Sequence, residues 1–367
     1  MQDKIRVAIV GLGFGSEFIP IYQNHPQAEM YAICQRSLDE LNNVGDKFNV
    51  PKRYSDFYAL LQDENVDAIH INTPIDLHAE HTIAALGAGK HVACTVPMAT
   101  TVEECRAIIE AQKRSGKHYM MMETAVYTRE YLYVRELRDS GQLGRIQFLR
   151  GAHQQDMEGW PGYWEGLPPM HYATHALSPL LALAGLDAEY VTCFGSGEIS
   201  KHRASKYGSP FAVESALFRL RGSNLAAEVT RSLFETSREY VESFNVYGDR
   251  MTFEWGQLQH ENPCVFKGET GRRVPIPDFA DLLPEQIRPF TMQGVYNRQD
   301  NPHLSFTQGS GHGGSHPHLV HEFIMSLVEN RSPFPDAHTA ANWTSAGICA
   351  HESAIQHGRK VELPIFN

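Results

Sequence analysis

The chain has 367 residues, of which 42% are hydrophobic and 20% are charged, and its formal net charge is −11. This composition is typical of a globular protein with a large core, and the length predicts two domains. The acidic balance, without a run rich in Lys or Arg, argues against nucleic acids and anionic membrane surfaces as partners.

The sequence also favours a cytoplasmic location. No apolar run approaches the roughly 20 residues that span a bilayer, and the N-terminal residues enter a strand too early for a signal peptide. The six cysteines are scattered without a C-x-x-C pair, as expected of buried thiols in a reducing compartment.

Short apolar runs alternate with amphipathic stretches in the first third of the chain. The apolar runs are IRVAIVG, MYAIC, AIHIN, HVACT and HYMMM. Strand and helix alternating at this rate predict right-handed βαβ crossovers. We therefore expect residues 1–125 to form an α/β Rossmann domain with a doubly wound parallel sheet.

Beyond residue 125 the pattern changes to longer strands that follow one another after short turns. This arrangement predicts an antiparallel sheet in an α+β domain of residues 126–367. The segment from about 257 to 315 is rich in Pro, Gly, Asn and His and is expected to form long loops. The C-terminal helix is expected to pack back towards the first domain.

A glycine-rich turn, VAIVGLGFGSEF, follows the first strand and opens a helix. Gly11 permits the tight turn, Gly13 lets a pyrophosphate approach the backbone, and the small Ser16 replaces a third glycine where helix and strand pack. Phosphates bind the N–H groups of such a helix N-terminus. At the start of a βαβ series the motif predicts a dinucleotide site, with a turn that binds no ligand as the alternative.

The ends of two further strands carry polar residues that a dinucleotide could reach. The second strand ends at Gln35, where an acidic residue usually binds the ribose hydroxyls of NAD. Gln35 can still hydrogen-bond a hydroxyl and Arg36 could pair with a 2′-phosphate, so the choice between NAD and NADP stays open. The loop Asn72-Thr73-Pro74 lies where nicotinamide or ribose would pass.

With these residues placed, the chain resembles the Gfo/Idh/MocA family of oxidoreductases nearly from end to end. The shared motifs include the glycine fingerprint, NTP, AGKHV, PMATTVEE, GKHYMMME and a C-terminal VELP. The resemblance implies an N-terminal Rossmann domain and a C-terminal open, mostly antiparallel sheet with helices on one face. It also implies a homo-oligomer, a dimer or a tetramer, formed through that sheet.

One position departs from the family's pattern. Many family dehydrogenases carry Glu-Lys-Pro where this chain has Thr95-Val96-Pro97, and their lysine helps to move the hydroxyl proton. Val96 has no proton to give. Any proton transfer must therefore come from other residues.

A closer resemblance is to the NAD-dependent glycosidases of glycoside hydrolase family 109. These enzymes also tend to have valine before the proline, a Tyr-x-x-His segment and a later GHGG motif. Here the corresponding residues are Tyr172, His175 and His312. The proposed proton-abstracting tyrosine of this branch corresponds to His153, which departs from the pattern but is chemically competent as a base.

Oxidation of a sugar alcohol needs a hydride acceptor and a base that works near neutral pH, which favours histidine or an activated tyrosine. His175 follows Tyr172 by three residues, a spacing that places both side chains on one helical face. His153 would supply a second base from a strand. Because the chain has 19 histidines, His153 could also be an ordinary strand residue.

The predicted site residues form three groups. The predicted catalytic residues are His175, Tyr172 and His153. The predicted cofactor contacts are Gly11, Gly13, Phe14, Gly15, Gln35, Arg36, Asn72, Thr73, Pro74, His78, Thr95, Pro97 and Glu123, although His78 could simply pack and Glu123 could simply anchor its loop. The predicted substrate contacts are Tyr127, Trp160, Trp164 and His312, since aromatic rings suit sugar stacking.

Three functions agree with these residues, and the expected cofactor is NAD. The favoured one is redox-neutral cleavage of a glycoside by oxidation at C3, elimination, hydration and reduction. The second is a sugar or cyclitol dehydrogenase with net hydride transfer, and the third is a dinucleotide-binding regulator without catalysis. The expected partner is a carbohydrate or glycoside substrate. No metal site is predicted, although His318 and His321 have a spacing that could suit a metal.

Overall fold

The computed structural model describes residues 4–258, 261–292 and 310–366. These residues fold into two compact units, the first within Met1–Tyr127 and Asp278–Ala341 and the second within Thr128–Pro277 and Asn342–Asn367. This division differs from the expected single boundary after residue 125, because the chain returns to the first unit near residue 278. A change of pattern along the sequence marks where a unit ends but does not show a later segment returning to it.

A six-stranded sheet forms the centre of the first unit. Its strands are β1 (Ile5–Val10), β2 (Ala28–Cys34), β3 (Lys52–Tyr54), β4 (Ala68–Ile71), β5 (His91–Thr95) and β6 (Tyr119–Met122). All neighbouring strands are parallel, in the order β3-β2-β1-β4-β5-β6. The predicted doubly wound Rossmann sheet is confirmed, and its strand order reverses between β1 and β4.

Ten α-helices accompany the strands in the described ranges. They are α1 (Leu12–Gly15), α2 (Ile19–Asn24), α3 (Leu38–Lys47), α4 (Phe57–Leu61), α5 (His78–Gly87), α6 (Val102–Ser115), α7 (Arg129–Asp139), α8 (Thr174–Ala184), α9 (Ser315–Val328) and α10 (Ala337–Ile355). α6 shows how local chemistry sets such bounds: Thr101 and Glu104 form a capping box at its start, and Gly116 ends it in the left-handed conformation.

A nine-stranded sheet forms the centre of the second unit. Its strands are β7 (Ile146–Gln154), β8 (Ala188–Ser196), β9 (Val213–Leu220), β10 (Ala226–Ser232), β11 (Val241–Gly248), β12 (Thr252–Glu254), β13 (Cys264–Lys267), β14 (Thr270–Arg273) and β15 (Val361–Glu362). Their order is β14-β13-β12-β11-β7-β10-β9-β8-β15, and only the β7–β10 pair is parallel. The predicted open, mostly antiparallel sheet is confirmed.

Part of the segment expected to form long loops is instead regular structure. β13 and β14 form a hairpin at one edge of the sheet, with Cys264 paired to Arg273 and Lys267 paired to Thr270. The expectation was wrong here because the hairpin is short and half-polar, so its local pattern is weak. Residues 293–309 of the same segment lie outside the described residues.

No helix within residues 4–258, 261–292 and 310–366 combines the length and the apolar character needed to cross a bilayer.

Candidate active site

The glycine turn after β1 lies against the loop after β4. Gly11 has a φ of 86°, and a Cβ atom added to it would lie only 2.4 Å from the carbonyl oxygen of Asn72. The backbone N–H of Gly11 donates to the carbonyl of Cys34 at the end of β2. Because no side chain fits at Gly11, the turn follows the sheet edge closely, as a dinucleotide-binding turn must.

The close contact between helix and strand falls at Gly15 rather than at Ser16. A Cβ on Gly15 would lie 2.9 Å from Cγ2 of Ile9 on β1. Ser16 is buried next to it, and its hydroxyl lies 3.3 Å from the carbonyl oxygen of Gly13, to which it donates. The ring of Phe14 packs edge-on against Phe18, with centroids 5.4 Å apart.

Gln35 follows β2 and is held by its surroundings. Its backbone N–H donates to Tyr54 on β3, and its side-chain amide donates to the carboxylate of Glu40 on α3. This leaves the amide oxygen of Gln35 as the group that could accept from a ribose hydroxyl. Arg36 is exposed next to it.

His78 connects the loops that follow β4 and β5. Its Nδ1 lies 2.7 Å from the carbonyl oxygen of Pro97, and its Nε2 lies 2.8 Å from that of Thr73. Burial alone would lower the pKa of His78, but the neighbouring Cys94 and the two carbonyl acceptors raise this pKa to about 9. His78 is therefore a doubly donating imidazolium that positions Thr73 and Pro97, and its buried ring ties the two loops together.

Asn72 presents an unsatisfied polar atom beside the glycine turn. Its Oδ1 is buried and has no hydrogen-bond partner among the described residues. Thr95, at the end of β5, uses its hydroxyl to donate to the carbonyl of Ile71. Val96, which follows Thr95, is 7% exposed and offers an apolar surface.

Glu123 and Tyr127 make internal contacts in the first unit. Glu123 is fully buried and accepts from the backbone N–H of Ala125, so it caps the turn after β6. The hydroxyl of Tyr127 donates to the carbonyl of Phe334 at 2.6 Å. Both side chains thus stabilise the chain after β6, and their predicted ligand contacts stay predictions.

In the second unit, three neighbouring strands place a cation, an imidazole and a carboxylate side by side. His153 on β7 pairs with Arg231 on β10 and with Glu242 on β11. Paired residues on neighbouring strands share one face of the sheet and lie close together. His153 Nε2 lies 3.8 Å from Glu242 Oε1.

α8 adds a second imidazole to this row. His175 Nε2 lies 4.0 Å from Glu242 Oε1, and the rings of His175 and His153 are 5.3 Å apart. Gly151 makes this approach possible, because a Cβ there would lie 2.1 Å from the carbonyl oxygen of Ala176. The cluster is therefore built by close packing of α8 onto β7.

Tyr172 joins the cluster, but not by the route that the sequence suggested. Its hydroxyl lies 3.4 Å from His175 Nε2, and the two rings meet edge to face at 5.2 Å. The two residues were expected on one helical face, which is wrong: Tyr172 ends a 3-10 turn, Pro169–Tyr172, and α8 begins only at Thr174. The change of helix type at Ala173 brings the side chains together.

Arg231 holds the backbone of the cluster in place through hydrogen bonds. It is fully buried and donates to the carbonyls of Tyr172, His153 and Ser232 and to the side chain of Gln155. Burial lowers the pKa of Arg231 to about 10, while Tyr172, Tyr240 and Glu242 oppose that change. Arg231 is therefore charged at neutral pH and fixes the backbone that carries two of the predicted catalytic residues.

Tyr240 and Glu242 differ in their roles. The Tyr240 hydroxyl donates to Glu242 Oε1, and burial, followed by the charge of Glu242, raises the pKa of Tyr240 well above its usual value. Tyr240 therefore stays a protonated donor rather than a base. Glu242 supplies a negative charge that stabilises an imidazolium on either His153 or His175.

The aromatic loop after β7 reaches the cluster through Trp164. The rings of Trp164 and Tyr172 are 5.1 Å apart, and Trp160 packs edge-on against Trp164 at 5.7 Å. Trp164 is 8% exposed, and its Nε1–H has no hydrogen-bond acceptor within the part of the chain that the structure describes. A buried indole N–H of this kind suits an acceptor oxygen on a ligand.

His312 belongs to the first unit, near the glycine turn. Its ring lies 5.7 Å from Phe14, and its Nδ1 lies 2.9 Å from Nε2 of His316. His318 is buried on α9, and His321 Nδ1 lies 3.1 Å from Nε2 of His25. Across residues 4–258, 261–292 and 310–366, no group of three His, Cys, Asp or Glu side chains has a geometry that could hold a metal ion.

Comparison with known families gives a match within the first unit. Residues 5–123 match the model of a family described as an oxidoreductase family with an NAD-binding Rossmann fold.

Curated relatives match over the whole chain. A glycosyl hydrolase family 109 protein of Saccharopolyspora erythraea is 27% identical, with 100% of this chain and 84% of the relative covered. The alpha-N-acetylgalactosaminidase of Shewanella oneidensis is 24% identical, with 100% and 85% covered. A levoglucosan dehydrogenase solved with NADH and levoglucosan has a TM-score of 0.80 at 20% identity, covering 99% of this chain and 100% of that one, which shows a shared fold.

The residues of the first unit fit NAD. Gly11 leaves open backbone where a side chain would clash, and the buried Oδ1 of Asn72 needs a donor. An amide or hydroxyl group of a dinucleotide could supply that donor. Gln35, Thr73 and Pro97 are the other residues of the sheet edge that would hold the cofactor.

Sequence reasoning missed Arg231, Tyr240 and Glu242. The sequence pattern held a signal for two of them. Along β10, Arg231 lies on the same face as the buried Ala227 and Val229. Along β11, Glu242 lies on the same face as the buried Phe244. A charged residue at a core-facing position must be paired, so it often marks a functional or structural cluster. Only the strand register shows that both residues flank His153.

Replacement of Gly11 with alanine is expected to abolish NAD binding. The new Cβ would clash with the carbonyl oxygen of Asn72, 2.4 Å away. The alanine would also have to adopt the φ of 86°, which is unfavourable for a residue with a side chain. Gly89→Ala is the matched control, because Gly89 has a φ of 76° but open space around it. The control should lower the free energy of unfolding by about 1–2 kcal/mol without changing NAD affinity. Calorimetric titration with NAD and thermal unfolding of both variants test this, and equal affinities would contradict it.

Proposed function

We propose that this protein is an NAD-dependent enzyme that cleaves a glycoside by transient oxidation at C3, without net redox change. The observation that carries the proposal is the buried cluster of His153, Tyr172, His175 and Glu242, which offers two imidazoles to a polyhydroxy ligand. Its support from comparison is the match to glycosidase-named relatives over the whole chain.

The two imidazoles suit two separate proton transfers. Tyr172 and His175 form one hydrogen-bonded pair, which would take the proton of the C3 hydroxyl. His153 comes from β7 and would take the C2 proton, which a ketone at C3 makes acidic. Glu242 lies within 4.0 Å of both histidines and stabilises whichever is protonated.

NAD would supply the hydride transfer, and the aromatic loop would hold the sugar. NAD, when bound, accepts hydride from C3 and returns it at the end of the cycle. The ring of Trp164 packs against Tyr172 and so lies beside the cluster. There it would stack on the sugar or offer its Nε1–H to a substituent of the sugar ring. Arg231 keeps the backbone of Tyr172 and His153 in place while protons move.

One observation also favours a plain sugar or cyclitol dehydrogenase. The Tyr172–His175 pair is sufficient by itself for oxidation of a hydroxyl, and the fold is shared with a levoglucosan dehydrogenase. In that case His153 would hold the sugar rather than remove a C2 proton. A regulator without catalysis is the third alternative, although a buried cluster of this kind is costly to maintain without a reaction.

A single assay separates these functions. The protein is incubated in deuterated water with a panel of aryl glycosides, including an aryl α-N-acetylgalactosaminide, and with no added cofactor. Release of the phenol with deuterium at C2 of the sugar is the expected result. Stoichiometric NADH from a free sugar, after addition of NAD, would instead establish the dehydrogenase.

The Gly11→Ala variant is the control for this assay. If cleavage depends on bound NAD, this variant should lose it, whereas a conventional hydrolase would keep it. If the wild type still binds NAD but forms neither phenol nor NADH with any member of the panel, the enzymatic proposal is overturned.

The expected homo-oligomer through the second sheet stays a prediction. Two apolar side chains, Phe194 on β8 and Leu217 on β9, are exposed on that sheet.

A further inference from the structure

A carboxylate lies beside the end of β2, where the glycine turn meets the sheet. The backbone N–H of Gly11 donates to the carbonyl of Cys34, the last residue of β2, at 3.0 Å, so the turn and the strand end are in contact. Gln35 follows Cys34 directly, and its side-chain amide donates to Oε2 of Glu40 on α3. A negative charge, which the residue after β2 does not itself carry, is therefore supplied there by the next helix.

The start of α3 holds Glu40 in this place. Ser37 is the N-cap residue of the helix, and its hydroxyl accepts from the backbone N–H of Glu40 at 3.4 Å. Glu40 is the third residue of α3, and its side chain reaches back past the cap to Gln35. A negative charge in the first turn of a helix is stabilised by the unpaired N–H groups of that turn. The carboxylate is thus positioned by its helix and by Gln35 before any ligand binds.

Gln35 and Glu40 each keep one acceptor oxygen for a ligand. In the part of the chain that the structure describes, neither Oε1 of Gln35 nor Oε1 of Glu40 has a hydrogen-bond partner. Both side chains are half-buried rather than enclosed. The two hydroxyl groups of a ribose are donors that suit two such acceptors. The pair therefore fits an unmodified ribose beside the glycine turn.

A 2′-phosphate on the same ribose would meet this pair unfavourably. NADP differs from NAD by this phosphate, which carries a charge of about −1.5 to −2 at pH 7. The phosphate replaces a hydroxyl donor by acceptor oxygens, and its charge repels the carboxylate of Glu40. A site can reject the wrong ligand by placing a like charge against it, even where the rest of the two ligands is identical.

Arg36 is the neighbouring group that would favour a phosphate, since guanidinium groups bind phosphates well. Burial lowers the pKa of His81 on α5, and the charge of Arg36 adds to that decrease, so Arg36 lies within electrostatic range of α5. Arg36 is exposed, and its guanidinium has no hydrogen bond to any residue that the structure describes. An exposed charge without a fixed position is screened by solvent and salt, whereas Glu40 is held in place.

We propose that Glu40, held by Gln35, makes this site select NAD and reject NADP. Its carboxylate takes the place of the acidic residue that usually follows the second strand of such a sheet. Gln35 and Glu40 accept from the ribose hydroxyls of NAD, while the charge of Glu40 repels a 2′-phosphate. Glu40 is thus a specificity-determining residue. This inference rests on the cofactor alone and not on the sugar reaction proposed above.

Competition with NADH measures this selectivity without any sugar. The protein is loaded with NADH, and NAD or NADP displaces it at about pH 7.5, where a 2′-phosphate is mostly dianionic. The fluorescence of the nicotinamide follows the release. The wild type is expected to bind NAD at least about 100-fold more tightly than NADP. A wild type that binds NADP as tightly as NAD would overturn the proposal.

Glu40→Gln removes the charge but keeps an oxygen that can accept from Gln35. This variant should lower the ratio of NAD affinity to NADP affinity at least about 10-fold, chiefly through tighter binding of NADP. Its binding of NADH shows that the unit is folded. An affinity ratio equal to that of the wild type would contradict the assignment of selectivity to Glu40.

Asp39→Asn is the matched control. Asp39 precedes Glu40 on the same helix and is exposed, so its replacement removes the same charge from α3 but leaves the bond between Gln35 and Glu40. The affinity ratio should change by no more than about threefold, because an exposed charge is screened. An equal change in the two variants would show that the general charge of α3, and not Glu40, selects the cofactor.

Arg36→Ala separates the carboxylate from the neighbouring arginine. If Glu40 decides, this variant keeps the preference for NAD. Tight binding of NADP to the wild type that is lost in Arg36→Ala would show that the arginine decides, and would overturn the proposal. Because no sugar is present in these titrations, their failure leaves the proposed glycoside cleavage untouched, and an inactive protein can still select NAD.

Discussion

Replacement of His175 with alanine is expected to lower turnover by about 10²- to 10⁴-fold, whichever sugar reaction the assay detects. The imidazole of His175 is bonded to the Tyr172 hydroxyl and lies 4.0 Å from Glu242, so its loss removes the proton acceptor and separates the tyrosine from the carboxylate. NAD affinity should not change, because the cofactor residues lie in the first unit. Turnover and calorimetric titration with NAD are measured on the same preparation.

His171→Ala is the matched control for this variant. His171 precedes Tyr172 by one residue, and its ring packs against His351 rather than against the cluster. This control should keep turnover within a few-fold of the wild type when measured well below its unfolding temperature. Full activity in His175→Ala, or an equal loss in His171→Ala, would show that the cluster is not the site of proton transfer.

Replacement of Arg231 with methionine is expected to destabilise the second unit by about 3–5 kcal/mol. Methionine fills much of the space but leaves the carbonyls of His153 and Tyr172 and the Gln155 side chain without their buried donor. The favourable charge interaction between Arg231 and Glu242 is also lost. Urea unfolding followed by tryptophan fluorescence measures this loss in the second unit alone, because all four tryptophans are in its segments.

Arg150→Met is the control on the neighbouring strand. Arg150 pairs with Glu228 on the same sheet, but its side chain is 53% exposed. An exposed pair of this kind contributes no more than about 1 kcal/mol. Similar losses in the two variants would show that Arg231 is not the buried support of Tyr172 and His153.

The site was predictable from the sequence to different degrees in its two parts. The glycine turn and the strand ends of the first unit follow from local patterns, because each parallel βαβ unit is short and its glycines have backbone requirements of their own. Gly15 shows the limit: the sequence assigned the close helix–strand contact to Ser16, whereas the structure makes that contact at Gly15. A shift of one residue within a turn depends on how the helix packs, which no local pattern records.

The second unit was harder because its site is assembled from distant strands. Tyr172, His175 and His153 were named from resemblance, and the structure brings all three together. Glu242 and Arg231 were not named, since their strands are far from β7 in the sequence. Only the register of β10-β7-β11 makes them the neighbours of His153.

The sequence by itself determined the parallel sheet, the glycine turn that binds a dinucleotide and the class of chemistry, because apolar runs, glycines and residue types act locally. The tertiary structure decided which ionisable side chains meet. Strand register and the packing of α8 against Gly151 set the cluster around Glu242, and the return of the chain near residue 278 sets His312 and His316 beside Glu17. These pairings depend on how each whole unit packs and buries its residues, and no short stretch of sequence determines that.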